Sequence, residues 1–182
     1  MTISIERVAA PTIFTLGHST RPIEEFLRLL TGHSVQLLGD IRTIPRSRRN
    51  PQFEQRALAA SLESEGILYR HMPELGGLRK PRSDSINTAW RNASFRGYAD
   101  YMQTAAFEQG VDFLLSAATD RIVAVMCAES VPWRCHRSLL ADALLARGGD
   151  VREIVSPTTA RPHRLTAWAR VDDGHVTYPG VL

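Results

Sequence analysis

The sequence predicts an α/β fold: a mostly parallel sheet of about five strands between helical layers, with a C-terminal β-hairpin added. Three observations carry this expectation. Short apolar, β-prone runs alternate with stretches whose apolar residues recur at helical spacing, the pattern of βαβ units in a three-layer sheet. The runs are apolar on consecutive positions, as strands buried on both faces are, with Arg121-Ile-Val-Ala-Val-Met126 the clearest. The tail changes character: Asp172-Asp173-Gly174 separates two β-prone segments, 165–171 and 175–178, and reads as a hairpin with a short glycine turn.

Each element follows in order. Residues 12–16 form the first run, ending at Gly17. Ile23, Phe26, Leu27 and Leu30 then make an i, i+3, i+4, i+7 stripe, and Pro22, Glu24 and Glu25 suit its N-terminus. Residues 35–39 are the second strand. Asn50-Pro51 offers an N-cap and a first-turn proline for a helix carrying Phe53, Ala57, Leu58 and Leu62, which Gly66 can stop. Residues 67–71 read as the third strand. A long Gly- and Arg-bearing stretch, 73–97, leads into helical sequence over 98–118, expected to break near Gly110. After the fourth strand, 132–147 reads as a helix with Leu139, Leu140, Ala143 and Leu144 inward and Gly148-Gly149 as its stop. Residues 151–155 are the fifth strand. The 182 residues fit one domain, with a core at 12–156 and a hairpin extension at 157–182.

Composition bounds the function. The chain is 43% hydrophobic and 23% charged, which excludes disordered and collagen-like classes. Residues 1–11 lack the apolar core of a signal peptide, and no run approaches the roughly 20 apolar residues of a membrane span. Two cysteines are too few for a disulfide framework. A soluble cytoplasmic protein with no membrane partner is the expectation. A formal charge of +3 is too small to argue for nucleic acid by itself. Of the 22 basic residues Lys80 is the only lysine, a skew that, for the total count, coding bias explains better than ligand binding does.

The informative residues follow the strands. In an open parallel sheet the strand C-termini share one edge, and ligands bind in the crevice there. His18-Ser19 follows the first strand, and Asp40-Ile41-Arg42 with Ser47 the second. His71 ends the third, ahead of Gly76-Gly77 and Arg79. Cys127-Ala128-Glu129 ends the fourth, and Cys135-His136-Arg137 opens the next helix. Each has a bland counterpart: a helix cap for His18, an ion pair for Asp40 with Arg42, a satisfied core position for His71, packing for Tyr98, Tyr101 and Met102. Convergence of four segments on one rim favours function. A thiol at a strand end or in a helix first turn feels the dipole and nearby cations, which favour the thiolate. There His136 is biased neutral, Arg137 and free N–H groups make an anion site, and Glu129 supplies a carboxylate. A metal centre on Cys127, Cys135 and His136 is a further reading, although no C-x-x-C spacing supports zinc.

Basic loops flank the rim. Five arginines (42, 46, 48, 49 and 56) face only Glu54 over 42–56, and Arg79, Lys80, Arg82, Arg91 and Arg96 face only Asp84 over 76–97. Two such runs beside one crevice suit an anionic ligand: a nucleotide, a phosphate ester or a nucleic-acid strand.

These motifs resemble, in order, those of the domain-of-unknown-function family 488 (DUF488). The matching residues are Gly17-His18-Ser19, Asp40-Ile41-Arg42 with Pro45 and Ser47, Gly66-Ile67 with Tyr69 and His71, and Leu75-Gly76-Gly77 with Arg79. Phe95-Arg96-Gly97-Tyr98-Ala99-Asp100-Tyr101-Met102, Cys127-Ala128-Glu129 and Cys135-His136-Arg137 complete the set. The resemblance implies a Rossmann-like domain and supports the rim as the site, with a loose association to DNA repair; it implies no reaction and no cofactor. The leading expectation is an enzyme acting on a phosphate-bearing ligand. Cys127, Glu129, His18 and Asp40 would be its catalytic set. Ser19, Arg42, Ser47, Gly76, Gly77, Arg79, Tyr98, Cys135, His136 and Arg137 would bind the ligand. A non-catalytic nucleic-acid-binding module and the metal-binding domain are the alternatives.

Overall fold

The computed structural model describes residues 10–180, so residues 1–9 of the segment weighed for a leader, and 181–182 of the tail, lie outside the described residues. In chain order the elements are β1 (Thr12–Gly17), α1 (Ile23–Gly32), β2 (Leu37–Asp40), α2 (Gln55–Ser64) and β3 (Leu68–His71). They continue with α3 (Ala93–Tyr101), α4 (Ala105–Asp120), β4 (Val123–Cys127), α5 (Arg137–Ala146), β5 (Asp150–Ser156) and β6 (Thr159–Pro162). The short strands β7 (Arg170–Asp172) and β8 (His175–Thr177) come last.

The main sheet runs β3-β2-β4-β1-β5-β6; its first five strands are parallel and β6 is antiparallel to β5. Side chains alternate between the faces of each strand. Val123, Val125 and Cys127 of β4 pack with residues of α3, α4 and α5, such as Tyr98, Leu114 and Leu139. Ala124 and Met126 face the other way, with Phe26 and Leu30 of α1 and Leu58 and Leu62 of α2. Those four helix residues are fully buried, and each contributes about 1.5–3 kcal/mol relative to an exposed position.

Helix periodicity located the elements better than their ends. The helical stretch over 98–118 is two helices that break at Met102–Thr104, because Thr104 caps α4 by accepting from the Phe107 amide. Gly110, expected as the breaker, sits inside α4. A Cβ there would lie 2.7 Å from Leu75, so the glycine serves close packing. The helix read over 132–147 also divides. Pro132–Arg134 is a single 3-10 turn, Cys135 is extended (φ −128°, ψ 144°), and α5 begins at Arg137.

The tail divides too. Residues 159–162, expected within the hairpin extension, join the main sheet as β6, while β7 and β8 form a separate hairpin. Its turn residues, Asp173 (φ 47°) and Gly174 (φ 80°), have the left-handed backbone that a two-residue hairpin turn requires. The hairpin docks through Val176 and the fully buried Tyr178, whose hydroxyl donates to Asp142 of α5 at 2.8 Å.

The layering sets the site. Chains leaving β1 and β2 pass to the α1–α2 face; those leaving β3 and β4 pass to the opposite one. In the sheet order β3-β2-β4-β1, neighbouring exits therefore alternate in direction and leave a crevice open at the C-terminal end of β4.

Candidate active site

At the end of β4 the Cys127 sulfur, 2% exposed, accepts from two donors. The Cys135 thiol lies 2.9 Å away, and Nη1 of Arg137 lies at 3.0 Å. The Cys135 hydrogen bond lowers the Cys127 pKa against the opposing effect of burial, and the Arg137 charge adds to it. Cys135 moves the opposite way. Its hydrogen bond to Cys127 and its own burial hold the proton on it. The sequence reading placed Cys135 in the first turn of a helix, where the dipole would favour its thiolate. Its extended residue precedes the helix, and it serves as the proton donor of the pair.

Arg137 is 1% exposed: Nη1 also donates to the Glu129 carbonyl at 2.9 Å and Nη2 pairs with Glu153 at 3.0 Å, while its buried Nε has no partner among the described residues. The 128–130 loop is pressed against the end of β1. A Cβ on Gly17 would lie 1.8 Å from the Glu129 carbonyl oxygen, so only glycine permits this approach. His18 and Ser19 donate their amides to the carbonyls of Cys127 and Ala128, and Ser19 holds the left-handed backbone (φ 52°).

The end of β2 is a closed network. Asp40 is fully buried; its oxygens accept from the amide, Nε and Nη2 of Arg42, the last at 2.6 Å, and from the Tyr69 hydroxyl at 2.8 Å. Arg42 Nη1 donates to the Phe53 carbonyl at 2.9 Å and faces His18 Nε2 at 3.4 Å. His18 Nδ1 donates to the Ser19 carbonyl, its ring stacks on Phe53, and burial lowers its pKa to about 4. It is therefore a neutral imidazole with both nitrogens bound. His71 donates to the Arg42 carbonyl, a satisfied position as its bland reading had it.

The 73–79 segment walls the crevice from the β3 side. Tyr98, 1% exposed, donates to the Leu75 carbonyl, and burial raises its pKa so that the phenol keeps its proton. His136 packs on Tyr98 and against Gly77. Its Nε2 donates to the Ile41 carbonyl at 3.3 Å, its Nδ1 faces the Cys135 sulfur at 3.5 Å, and burial lowers its pKa to about 4. Arg79 turns away, over the Tyr101 ring and onto the carbonyls of Pro73 and Gly76. Thr43 donates to the Gly77 carbonyl, and Gly76 packs on Thr43.

A cavity of ≈ 500 Å³ opens here, within the usual range for small-ligand pockets. Cys127, Cys135, His136 and Tyr98 form its buried end and Gly77 part of its wall; exposed Glu129, Arg46 and Arg134 stand at its mouth. A cleft of ≈ 310 Å³, lined by His18, Ser19 and Ser47, shares Arg46 and Glu129 with it. Asp40, Gly76 and Arg79 line neither. A cavity of ≈ 550 Å³ beside β5 touches only Arg137 of the expected residues and neither thiol, so the thiol cavity is the candidate site despite its slightly smaller volume. Arg134 and Asn92 were not singled out by sequence, and Phe95 entered only as part of the family motif. Arg134 stands three residues before Arg137, and its position in that segment was the one available signal. Among the described residues no group of three His, Cys, Asp or Glu side chains is arranged to hold a metal ion. The geometry lends the metal reading of Cys127, Cys135 and His136 no support: the thiols bond each other and His136 Nε2 is turned to a carbonyl.

The model of the domain of unknown function DUF488 matches residues 22–144. The chain belongs to this family. The DUF488 match takes in Asp40, Arg42, the 73–79 segment and the whole Cys127–Arg137 stretch, and leaves β1, with His18 and Ser19, outside it. No curated protein and no solved structure matches the chain. Among the described residues no helix is long and apolar enough to cross a membrane.

Proposed function

We propose that the protein is an enzyme whose Cys127 thiolate is the nucleophile toward a phosphate-bearing small molecule, a nucleotide or nucleic-acid fragment, bound in the ≈ 500 Å³ cavity. One observation carries the reading: the Cys127 sulfur takes hydrogen bonds from Cys135 and Arg137 at 2.9 and 3.0 Å while opening onto the cavity. A packing role for a small apolar residue calls for neither donor. Of the arginines assigned to the anion, Arg42, Arg79 and Arg137 spend their guanidinium groups internally. Gripping the phosphate falls to Arg46 and Arg134, which are exposed and, among the described residues, lie in no ion pair. Glu129 at the mouth moves the proton to or from the leaving group. His18, Asp40 and Arg42 position the loop ends instead of meeting substrate. Two reduced thiols in contact suit the cytoplasm, where thiols are kept reduced.

Iodoacetamide alkylation tests this. Cys127 should react at a pH below the ordinary thiol range, and a nucleoside monophosphate should slow the reaction; Cys127→Ser should remove it and keep the fold. Alkylation with an ordinary thiol pH profile and no protection by millimolar nucleotide would overturn the reading. The competing reading, a non-catalytic nucleic-acid module, draws on the exposed Arg46, Arg48 and Arg49 of one loop. It predicts salt-sensitive DNA or RNA affinity that survives Cys127→Ser.

A further inference from the structure

The chain has two cysteines, and both line the same cavity with their sulfurs 2.9 Å apart. Any donor beside Arg137 would serve to stabilise a nucleophile; that the donor is a second thiol, with an imidazole beyond it, goes further than that role requires. Cys135 also stands on an extended residue between a 3-10 turn and α5, its amide closing the turn onto the Pro132 carbonyl and its own carbonyl accepting from Ser138. Closing the two sulfurs to a disulfide, at about 2.05 Å, needs a movement of roughly 1 Å. Behind Cys135, His136 Nδ1 carries no proton, because Nε2 is the nitrogen that donates to Ile41. Cys127, Cys135 and His136 thus form an ordered line of nucleophile, second thiol and base.

From this line we infer that Cys135 is a resolving thiol, and that the cavity reduces disulfides of anionic, low-molecular-weight thiols. The inference rests on Cys127 being the nucleophile and names the atom it attacks: a sulfur, with the phosphate or other anionic group serving as the handle at Arg46 and Arg134. The Cys127 thiolate attacks one sulfur of the substrate disulfide, forming a mixed disulfide and expelling the other half as a thiolate. Cys127 then bears no negative charge, so the Cys135 S–H loses its acceptor and gives up its proton by way of His136 Nδ1, which passes it on to solvent and stays neutral at rest. The new Cys135 thiolate attacks the Cys127 sulfur, forms the Cys127–Cys135 disulfide and releases the second half as a thiolate. The substrate gains two electrons and the protein loses two. A small dithiol reduces the protein disulfide, becoming oxidised itself, and restores the pair. The opposite pKa shifts of the two cysteines fit this order, the more readily ionised thiol attacking first and the one that holds its proton second.

The dianionic aromatic disulfide dithiobis(nitrobenzoate) is the probe. The wild-type chain should release two aromatic thiolates and end with a mass lower by two hydrogens and no adduct. Cys135→Ser should release one and keep the aromatic group on Cys127, seen by intact-mass and peptide analysis. His136→Gln should slow the second release relative to the first by about a hundredfold, the scale of a lost general base, and covers the case in which Cys135→Ser does not fold. A wild-type chain that releases one thiolate and keeps the adduct on Cys127 overturns the resolving role and leaves Cys127 as a nucleophile. A folded wild-type chain whose Cys127 does not react overturns both.

Discussion

The ends of β2 and β4 lie side by side, with Asp40 in register with Met126, and they put similar ingredients to opposite uses. Each strand ends in a buried ionisable group next to a buried arginine. At β2 the carboxylate takes four hydrogen bonds, from Arg42 and Tyr69, and the network closes on itself. At β4 the Cys127 sulfur has its two donors on the protein side, and its remaining side meets the cavity. A buried group satisfied all round braces a loop; one satisfied on a single side is left open to whatever enters the cavity. Residue type alone does not separate the two cases, because both read as a strand-end group with an arginine nearby.

The comparison breaks most visibly on stability. Asp40→Ala strands the guanidinium of Arg42, which is 6% exposed, and should cost about 3–5 kcal/mol in urea denaturation. Cys127→Ser, measured the same way, should cost no more than about 1 kcal/mol. Equal losses would mean that both strand ends are structural.

Acid acts on both regions at once. His18 and His136 are held neutral with pKa values lowered to about 4 from 6.5. Below pH 6.5 the unfolded chain binds protons that the folded chain refuses, so stability should fall as pH drops from 6.5 toward 4 and level off beneath that. His18→Gln and His136→Gln should each flatten part of this slope, and an unchanged slope would place protonated histidines in the folded state. The smallest effect on the fold is expected at the mouth. Arg46→Ala and Arg134→Ala should leave stability within about 0.5 kcal/mol. Each should weaken nucleotide protection of Cys127 roughly fivefold, corresponding to about 1 kcal/mol, and added salt should erase the difference.

Much of this was legible in the sequence. The alternation of apolar runs with helical stripes sufficed for the layers, since parallel strands buried on both faces leave a continuous apolar signature. Four rim segments could be gathered because a parallel sheet forces its strand C-termini to one edge. β6 escaped: Thr159–Pro162 is an exposed edge segment containing proline, and nothing in its composition marks a strand. The geometry of Cys135 escaped for a related reason. Helical spacing persists through 132–147, while Pro132 and the extended Cys135 break the backbone without breaking the pattern. The roles of the arginines could not be sorted by charge counting. Arg42, Arg79 and Arg137 look like Arg46 and Arg134 in sequence, and only their partners set them apart.

The alternating exits of the strands have a consequence for change over time. Each wall of the thiol cavity belongs to a different crossover, with Arg46 following β2, Gly77 following β3 and Arg134 following β4. A lengthened or rewritten loop on one crossover reshapes the mouth without disturbing the sulfur pair, whose bonds run to β4 and the start of α5. If the sulfur pair is the reacting centre proposed above, it can be inherited intact while the range of molecules admitted to it drifts, one wall at a time.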